Sequence, residues 1–168
     1  IAADINAEGY TWDGVFIVTG YNGVDGLILN GNNHTISNLT INNYLLSGTP
    51  NGGDEGTKPG VVKNITMDNI TVNGGSHDAS VFWGSCYGDV DYENVIIKNS
   101  TIKGGSNVGA LMSRTTIEND NTEIFVNFKN CQVVNCTIAA NDPNADPTGA
   151  SGFVGRAYGK THMKFDNK

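Results

Sequence analysis

One short phrase is written four times along this chain. Residues 34–46 read HTISNLTINNYLL, 60–72 GVVKNITMDNITV, 90–102 VDYENVIIKNSTI and 126–138 VNFKNCQVVNCTI. Superimposed, the copies share an apolar residue, an Asn two positions on, an alternating apolar pair, and a second Asn five after the first. The first column is Asn38, Asn64, Asn94 and Asn130; the second is Asn43, Asn69, Asn99 and Asn135. Such a repeat constrains the architecture before any single side chain is weighed, because each unit buries its apolar face only by stacking on its neighbours.

Within each copy the apolar residues alternate with period two, and the alternation breaks at the Asn positions. That pattern predicts short strands separated by bends, with no helix. In the third copy Tyr92, Val95, Ile97 and Ile102 point inward, and Asn94 and Asn99 make the bends. Asn is the non-glycine residue that best tolerates left-handed backbone angles. A second motif lies between the copies: ASVFWG at 79–84, VGALMS at 108–113 and ASGFVG at 150–155 align without gaps and supply a third strand. The expected fold is all-β, a single domain over 1–168. It is a single-stranded parallel β-helix, a solenoid of about five coils with three short strands each. Equivalent residues stack about 4.8 Å apart, so the Asn columns become ladders that satisfy backbone groups at the bends.

The first-column spacings are 64−38 = 26, 94−64 = 30 and 130−94 = 36, and the excess must leave as loops. Residues 47–59 and 141–149 are expected to project from one shared corner and residues 114–123 from another. At the shared corner the acids Asp54, Glu55, Asp78, Asp142 and Asp146 are candidates to gather and bind calcium, which takes several oxygen ligands. In the third-strand motif Phe82, Leu111 and Phe153 form one column, and Trp83, Met112 and Val154 the next. Adjacent positions face opposite sides of a strand. Trp83 and Met112 are therefore candidates for an exposed apolar stripe that binds a partner, unless a loop or a local bend covers it. Phe165-Asp166-Asn167 restarts the phrase, so further coils of the same protein are expected.

Composition narrows the partners. The net charge is −7 with only two arginines, Arg114 and Arg156, which argues against a nucleic-acid or anionic-membrane surface. Cations, glycans and proteins remain. Cys86, Cys131 and Cys136 fit no zinc spacing and read as small core residues. No stretch is long and apolar enough to cross a membrane as a helix. The first residue is Ile, so any export signal lies outside these residues.

The segments IAADIN…GLILNGNNHTISNLTI (1–41) and KNSTIKGGSNVGALMS (98–113) resemble the GLUG-type repeat region of bacterial surface proteins. The resemblance covers nearly the whole chain. It implies a right-handed β-helix in an exported, cell-surface protein, of the kind found in adhesin-like proteins and in non-catalytic parts of large secreted peptidases. The chain departs from the pattern at Gly31-Asn32-Asn33, where Gly-Asn-Gly is usual, and in lacking a GLVG-like strand in 47–59.

Catalysis finds little support. A polygalacturonase-like site needs converging Asp residues with His and an Arg/Lys pair, and the chain has no Asp-Asp, Gly-His-Gly or Arg-x-Lys. His34, His77 and His162 show no zinc-ligand spacing. Six Asn-x-Thr sequons begin at Asn33, Asn38, Asn64, Asn69, Asn99 and Asn135, and their ladder positions make them poor glycan acceptors. The outward column Thr71, Thr101, Thr137 is broken by Leu45 and carries one Thr per coil, unlike the flat rows of ice-binding solenoids. The reading is a non-enzymatic surface module, a stalk or adhesin-like segment that binds glycan or protein through loops at one edge. The alternatives are a carbohydrate-active lyase or hydrolase, or the scaffold region of a secreted peptidase.

Overall fold

The Asn positions do bend the chain. In the computed structural model, all eight Asn of the two columns have φ between 51° and 71°. The structure describes residues 1–18, 26–48, 59–116, 123–141 and 149–166. Among these there is no helix. The first level holds β1 (Ile5–Asn6), β2 (Thr11–Trp12) and β3 (Phe16–Val18). The second holds β4 (Ile28–Ser37), β5 (Thr40–Asn42) and β6 (Leu46–Gly48), and the third β7 (Gly60–Asp68), β8 (Thr71–Asn73) and β9 (Trp83–Cys86). The fourth holds β10 (Val90–Lys98), β11 (Thr101–Gly104), β12 (Asn107–Gly109) and β13 (Met112–Thr115). The fifth holds β14 (Glu123–Lys129), β15 (Gln132–Val134), β16 (Thr137–Ala140), β17 (Gly149–Ser151) and β18 (Val154–Arg156), and β19 (Lys160–Asp166) continues the stack.

Every pairing is parallel and joins equivalent strands of successive levels. One sheet runs β1-β4-β7-β10-β14-β19 with β15 also on β10, a second runs β2-β5-β8-β11-β16, and a third runs β3-β6-β9-β13-β18. A short fourth sheet pairs β12 with β17. This is a parallel β-solenoid of about four turns, close to the five coils expected. The core is one column of buried Ile41, Met67, Val72, Val95, Ile97, Ile102 and Ile124 with the aromatic residues Phe82, Tyr92 and Phe128.

The register corrects the sequence alignment in its first copy. Asn33, Asn38 and Asn43 are each five apart, so two pairings of the phrase are possible. The structure sets Ile36 beside Met67 and Ser37 beside Asp68, which places Asn33 beside Asn64 and Asn38 beside Asn69. The ladders are therefore Asn33-Asn64-Asn94-Asn130 and Asn38-Asn69-Asn99-Asn135, with Asn6 one place earlier beside Ser37, and the coil lengths become 69−38 = 31, 99−69 = 30 and 135−99 = 36. The irregularity lies elsewhere, in a bulge between Asn30 and His34, where Asn32 and Asn33 are both left-handed.

The ladders sit at outer corners, not in the core: Asn69, Asn94, Asn99 and Asn135 are exposed. Along them each side-chain amide donates to the level below. Asn38 Nδ2 donates to Asn6 Oδ1 at 2.8 Å, Asn69 to Asn38 at 2.7 Å, Asn94 to Asn64 at 2.8 Å and Asn135 to Asn99 at 2.8 Å. Asn99 turns instead to Asp68 Oδ1 at 2.8 Å. The bend N–H groups donate to the next level's carbonyls, as Asn38 does to Asp68 and Asn69 to Lys98. Asn94→Ala should be less stable than Asn94→Gly by about 1 kcal/mol, because alanine pays the left-handed penalty that glycine avoids. Equal unfolding midpoints for the two variants would refute the bend role.

The corrected register also restores the outward Thr column. Thr11, Thr40, Thr71, Thr101 and Thr137 stack without a break, and Leu45 is not in it. One Thr per level still stands, flanked by Asn42, Asn73 and Lys103 in the next outward row.

Charge pairs reinforce the register on the first sheet. Lys63, Glu93, Lys129 and Asp166 are successive neighbours, and Lys129 Nζ lies 2.7 Å from Glu93 Oε1. Glu93 is held below the usual carboxylate range first by its hydrogen bond from Lys129. Asp68 is held low first by the Asn99 amide and then by Lys98, whose Nζ is 3.2 Å away. Their folded pKa values lie below the unfolded ones, so the stability they add is present above about pH 4 and is lost as pH falls through the folded values. Asp89 is opposite in sign. Burial raises it, so its contribution is present at low pH and lost as pH rises. Melting temperature should therefore drop modestly on acidification below about pH 4, and less in Glu93→Gln. An unchanged pH profile in that variant would contradict the assignment.

Candidate functional site

The corner between the second and third sheets changes length from level to level. Asn43, Tyr44 and Leu45 join β5 to β6, whereas residues 74–82 join β8 to β9. The step leaves an open cleft of about 470 Å³, lined by Tyr44, Ser76, His77, Asp78, Ser85 and Arg114 together with Asn43 and Ser106.

The longer corner is shaped by glycine. Gly75 has φ of 58°, His77 N–H donates to Gly74 O at 2.8 Å, and Gly105 N–H donates to His77 O at 2.7 Å. These bonds close the turn and hold Asp78 against the next level. Asp78 Oδ1 accepts from Ser106 Oγ at 2.7 Å, Asn107 Nδ2 at 2.9 Å and Asn107 N–H at 3.2 Å. Its Oδ2 lies 3.1 Å from Arg114 Nε. Arg114 sits on β13 beside Ser85 of β9, and Nε also donates to Ser85 Oγ at 3.0 Å. The guanidinium is thus anchored at one edge, while its terminal nitrogens have no partner among the described residues. Arg156 is next in the same row, but its charge is drawn away over the Tyr158 ring, 3.8 Å from the centroid.

Tyr44 forms an aromatic wall. A Cβ built on Gly84 would lie 2.5 Å from Tyr44 Cδ1 and as close to the rest of that ring edge, so the ring packs directly against the glycine backbone. The cleft therefore joins an aromatic ring, an oriented cation, an imidazole and several hydroxyls and amides, contributed by three successive levels.

Of the sequence candidates, Asp78 belongs to this cleft. Its Oδ1 accepts from three donors, and its Oδ2 faces the Arg114 guanidinium. Asp54, Glu55, Asp142 and Asp146 lie outside the described residues. The strands before their segments, β6 and β16, belong to different sheets, so the two loops do not leave from equivalent strands as expected. Among the described residues no group of three or more His, Cys, Asp and Glu is placed to hold a metal ion.

Trp83 and Met112 do not form an exposed stripe. Trp83, Met112, Phe82 and Leu111 are all 0–1% exposed. The motif alignment itself holds, with Ala79 beside Val108 and Trp83 beside Met112. The chain bends between the two columns, at 81–82 and 110–111, so neighbouring side chains both turn inward. Ser80 Oγ clamps the bend by donating to Trp83 O at 2.6 Å.

The remaining reactive groups stand apart from the cleft. His34 contacts Asp4 at 3.1 Å, and His162 stacks on Phe125. Burial pushes the Cys86 thiol up to about 12, which removes it as a nucleophile. An apolar cavity of about 620 Å³ within the first three levels is lined by residues such as Trp12, Leu39, Leu45 and Ile65. It gathers no ionisable side chain to orient a ligand.

Tyr44 and Arg114 escaped the sequence reading. Arg114 falls in an expected loop, yet extending the 79–84 and 108–113 alignment by one residue sets it beside Ser85 on a strand. Nothing local marks Tyr44, which matters because Gly84 of the following level leaves room for its ring. Comparison with protein-family models, curated proteins and solved structures finds no match, so the fold and the cleft rest on the residues themselves.

Proposed function

We propose that this chain is a non-catalytic β-helix segment of an exported bacterial surface protein, and that it binds glycan through the cleft at Tyr44 and Arg114. One observation carries the reading: a single open, polar cleft combines a flat aromatic ring with an oriented cation and a ring of hydroxyl and amide groups. An aromatic ring offers the apolar face of a sugar a flat surface. The polar lining offers donors and acceptors to sugar hydroxyls. Among the described residues only Asp78 brings a carboxylate to the cleft, and it is held by Ser106, Asn107 and Arg114. Acid–base cleavage of a glycosidic bond uses two working carboxylates, so the chemistry favours retention over turnover. The resemblance of residues 1–41 and 98–113 to GLUG-type repeat regions supports the surface setting.

A glycan array probed with the wild-type chain and with Tyr44→Ala tests this. Bound glycans are expected, with signals at least about tenfold weaker in the variant, since an aromatic anchor in an interface is often worth over 1.4 kcal/mol. An array with no wild-type binding refutes the reading, and so does release of shorter saccharides from a bound glycan.

A further inference from the structure

We infer that the cleft selects sugars bearing a carboxylate, which the terminal guanidinium nitrogens of Arg114 receive in a two-pronged contact while the sugar ring packs on Tyr44. This rests on the glycan-binding reading above and narrows its ligand class. Three observations point to it. First, Arg114 is fixed from behind, by Asp78 Oδ2 at 3.1 Å and Ser85 Oγ at 3.0 Å, both through Nε. That leaves the outer fork, with its paired parallel donors, uncommitted among the described residues. A guanidinium held this way matches the planar geometry of a carboxylate.

Second, the carboxylate that shares the cleft is engaged by the protein's own donors. Asp78 faces three further donors from Ser106 and Asn107, and only 14% of its side chain is exposed. Beside it the cleft is lined by further donor groups: the Arg114 fork, the Ser76 and Ser85 hydroxyls and the His77 ring. Third, Arg156, the neighbouring cation of the same row, is turned onto Tyr158. The cleft thus offers one positive fork, not a basic strip. With a net charge of −7 on the chain, that arrangement suits one carboxylate per recognised sugar and disfavours densely sulfated polyanions, which need clustered Lys and Arg.

The test is calorimetric titration with three acidic probes, oligogalacturonate, oligomannuronate and sialyllactose, each beside its carboxyl-methylated counterpart. At least one acid is expected to bind about 10–100-fold more tightly than its ester, the range for charge-assisted hydrogen bonds. Arg114→Gln should remove that difference, and Arg114→Lys should recover only part of it, since lysine keeps the charge and loses the fork. Circular dichroism and the Tyr44 ring resonances check that the variants keep the fold and the aromatic wall. Esters bound as tightly as acids, or an acid preference that survives Arg114→Gln in a folded variant, would overturn the inference and leave glycan binding standing. No binding of any acid overturns it as well, and the array then decides separately whether neutral glycans bind.

Discussion

Phe128→Ala is expected to lower unfolding stability by about 3–5 kcal/mol. Phe128 is 1% exposed and occupies the centre of an aromatic column. Its ring stacks on Tyr92 at 5.3 Å and on Phe165 at 4.9 Å, and it meets Phe153 edge-on at 5.2 Å. Truncation removes the buried ring and three aromatic contacts that the backbone ladders on either side hold in place, so the hole cannot collapse. Domains of this kind of size keep only about 5–15 kcal/mol in total. A solenoid spends its stability between neighbours, so hydrogen exchange should rise first in β10, β14 and β19. Phe128→Leu should cost less than Phe128→Ala, because it leaves a smaller hole, while it still loses the three ring contacts. A urea midpoint for Phe128→Ala within error of wild type would show that the column is not packed as described.

Gly109→Ala should be nearly as damaging, at about 3 kcal/mol, for a different reason. Gly109 lies where β12 hands over to the bend before β13. A Cβ there would run into Met112 O, stand 2.5 Å from Gly155 N and stand 2.8 Å from Phe153 O. Gly155 is tight in return, with its virtual Cβ 2.6 Å from Val108 N and 2.7 Å from Ser113 O. All these neighbours are backbone atoms of two paired levels, and they cannot swing aside as a side chain would. Gly152 is the control. Nothing lies within 4 Å of its virtual Cβ, so Gly152→Ala should change stability by no more than about 0.5 kcal/mol. Equal midpoints for Gly109→Ala and Gly152→Ala would refute the close approach. Gly84→Ala probes the cleft in the same way. It should push the Tyr44 ring off its seat and weaken glycan binding more than it weakens the fold.

The fold was legible because its signals are local and repeated. Left-handed Asn, alternation between bends and the gapless third-strand motif each report on a few residues, and each recurs in the levels where it was read. The first-copy register was not legible. Asn33, Asn38 and Asn43 carry the same five-residue spacing, and only the placement of Ile36 beside Met67 and Ile41 beside Val72 chooses between them. That choice moved Thr40 into the Thr column and removed the apparent 26-residue coil. The Trp83 and Met112 stripe failed because strand alternation was carried through a bend, where it does not hold.

The amino-acid sequence on its own determined that this chain winds into a parallel solenoid. A repeating row of residues that favour left-handed bends, with apolar residues between them, can bury its core in no other economical way. Only the tertiary structure decided where recognition can occur. Tyr44, Asp78 and Arg114 stand on three different levels, up to 114−44 = 70 residues apart. What joins them is the stacking register and a step in corner length, and both arise between levels, beyond the reach of any local pattern.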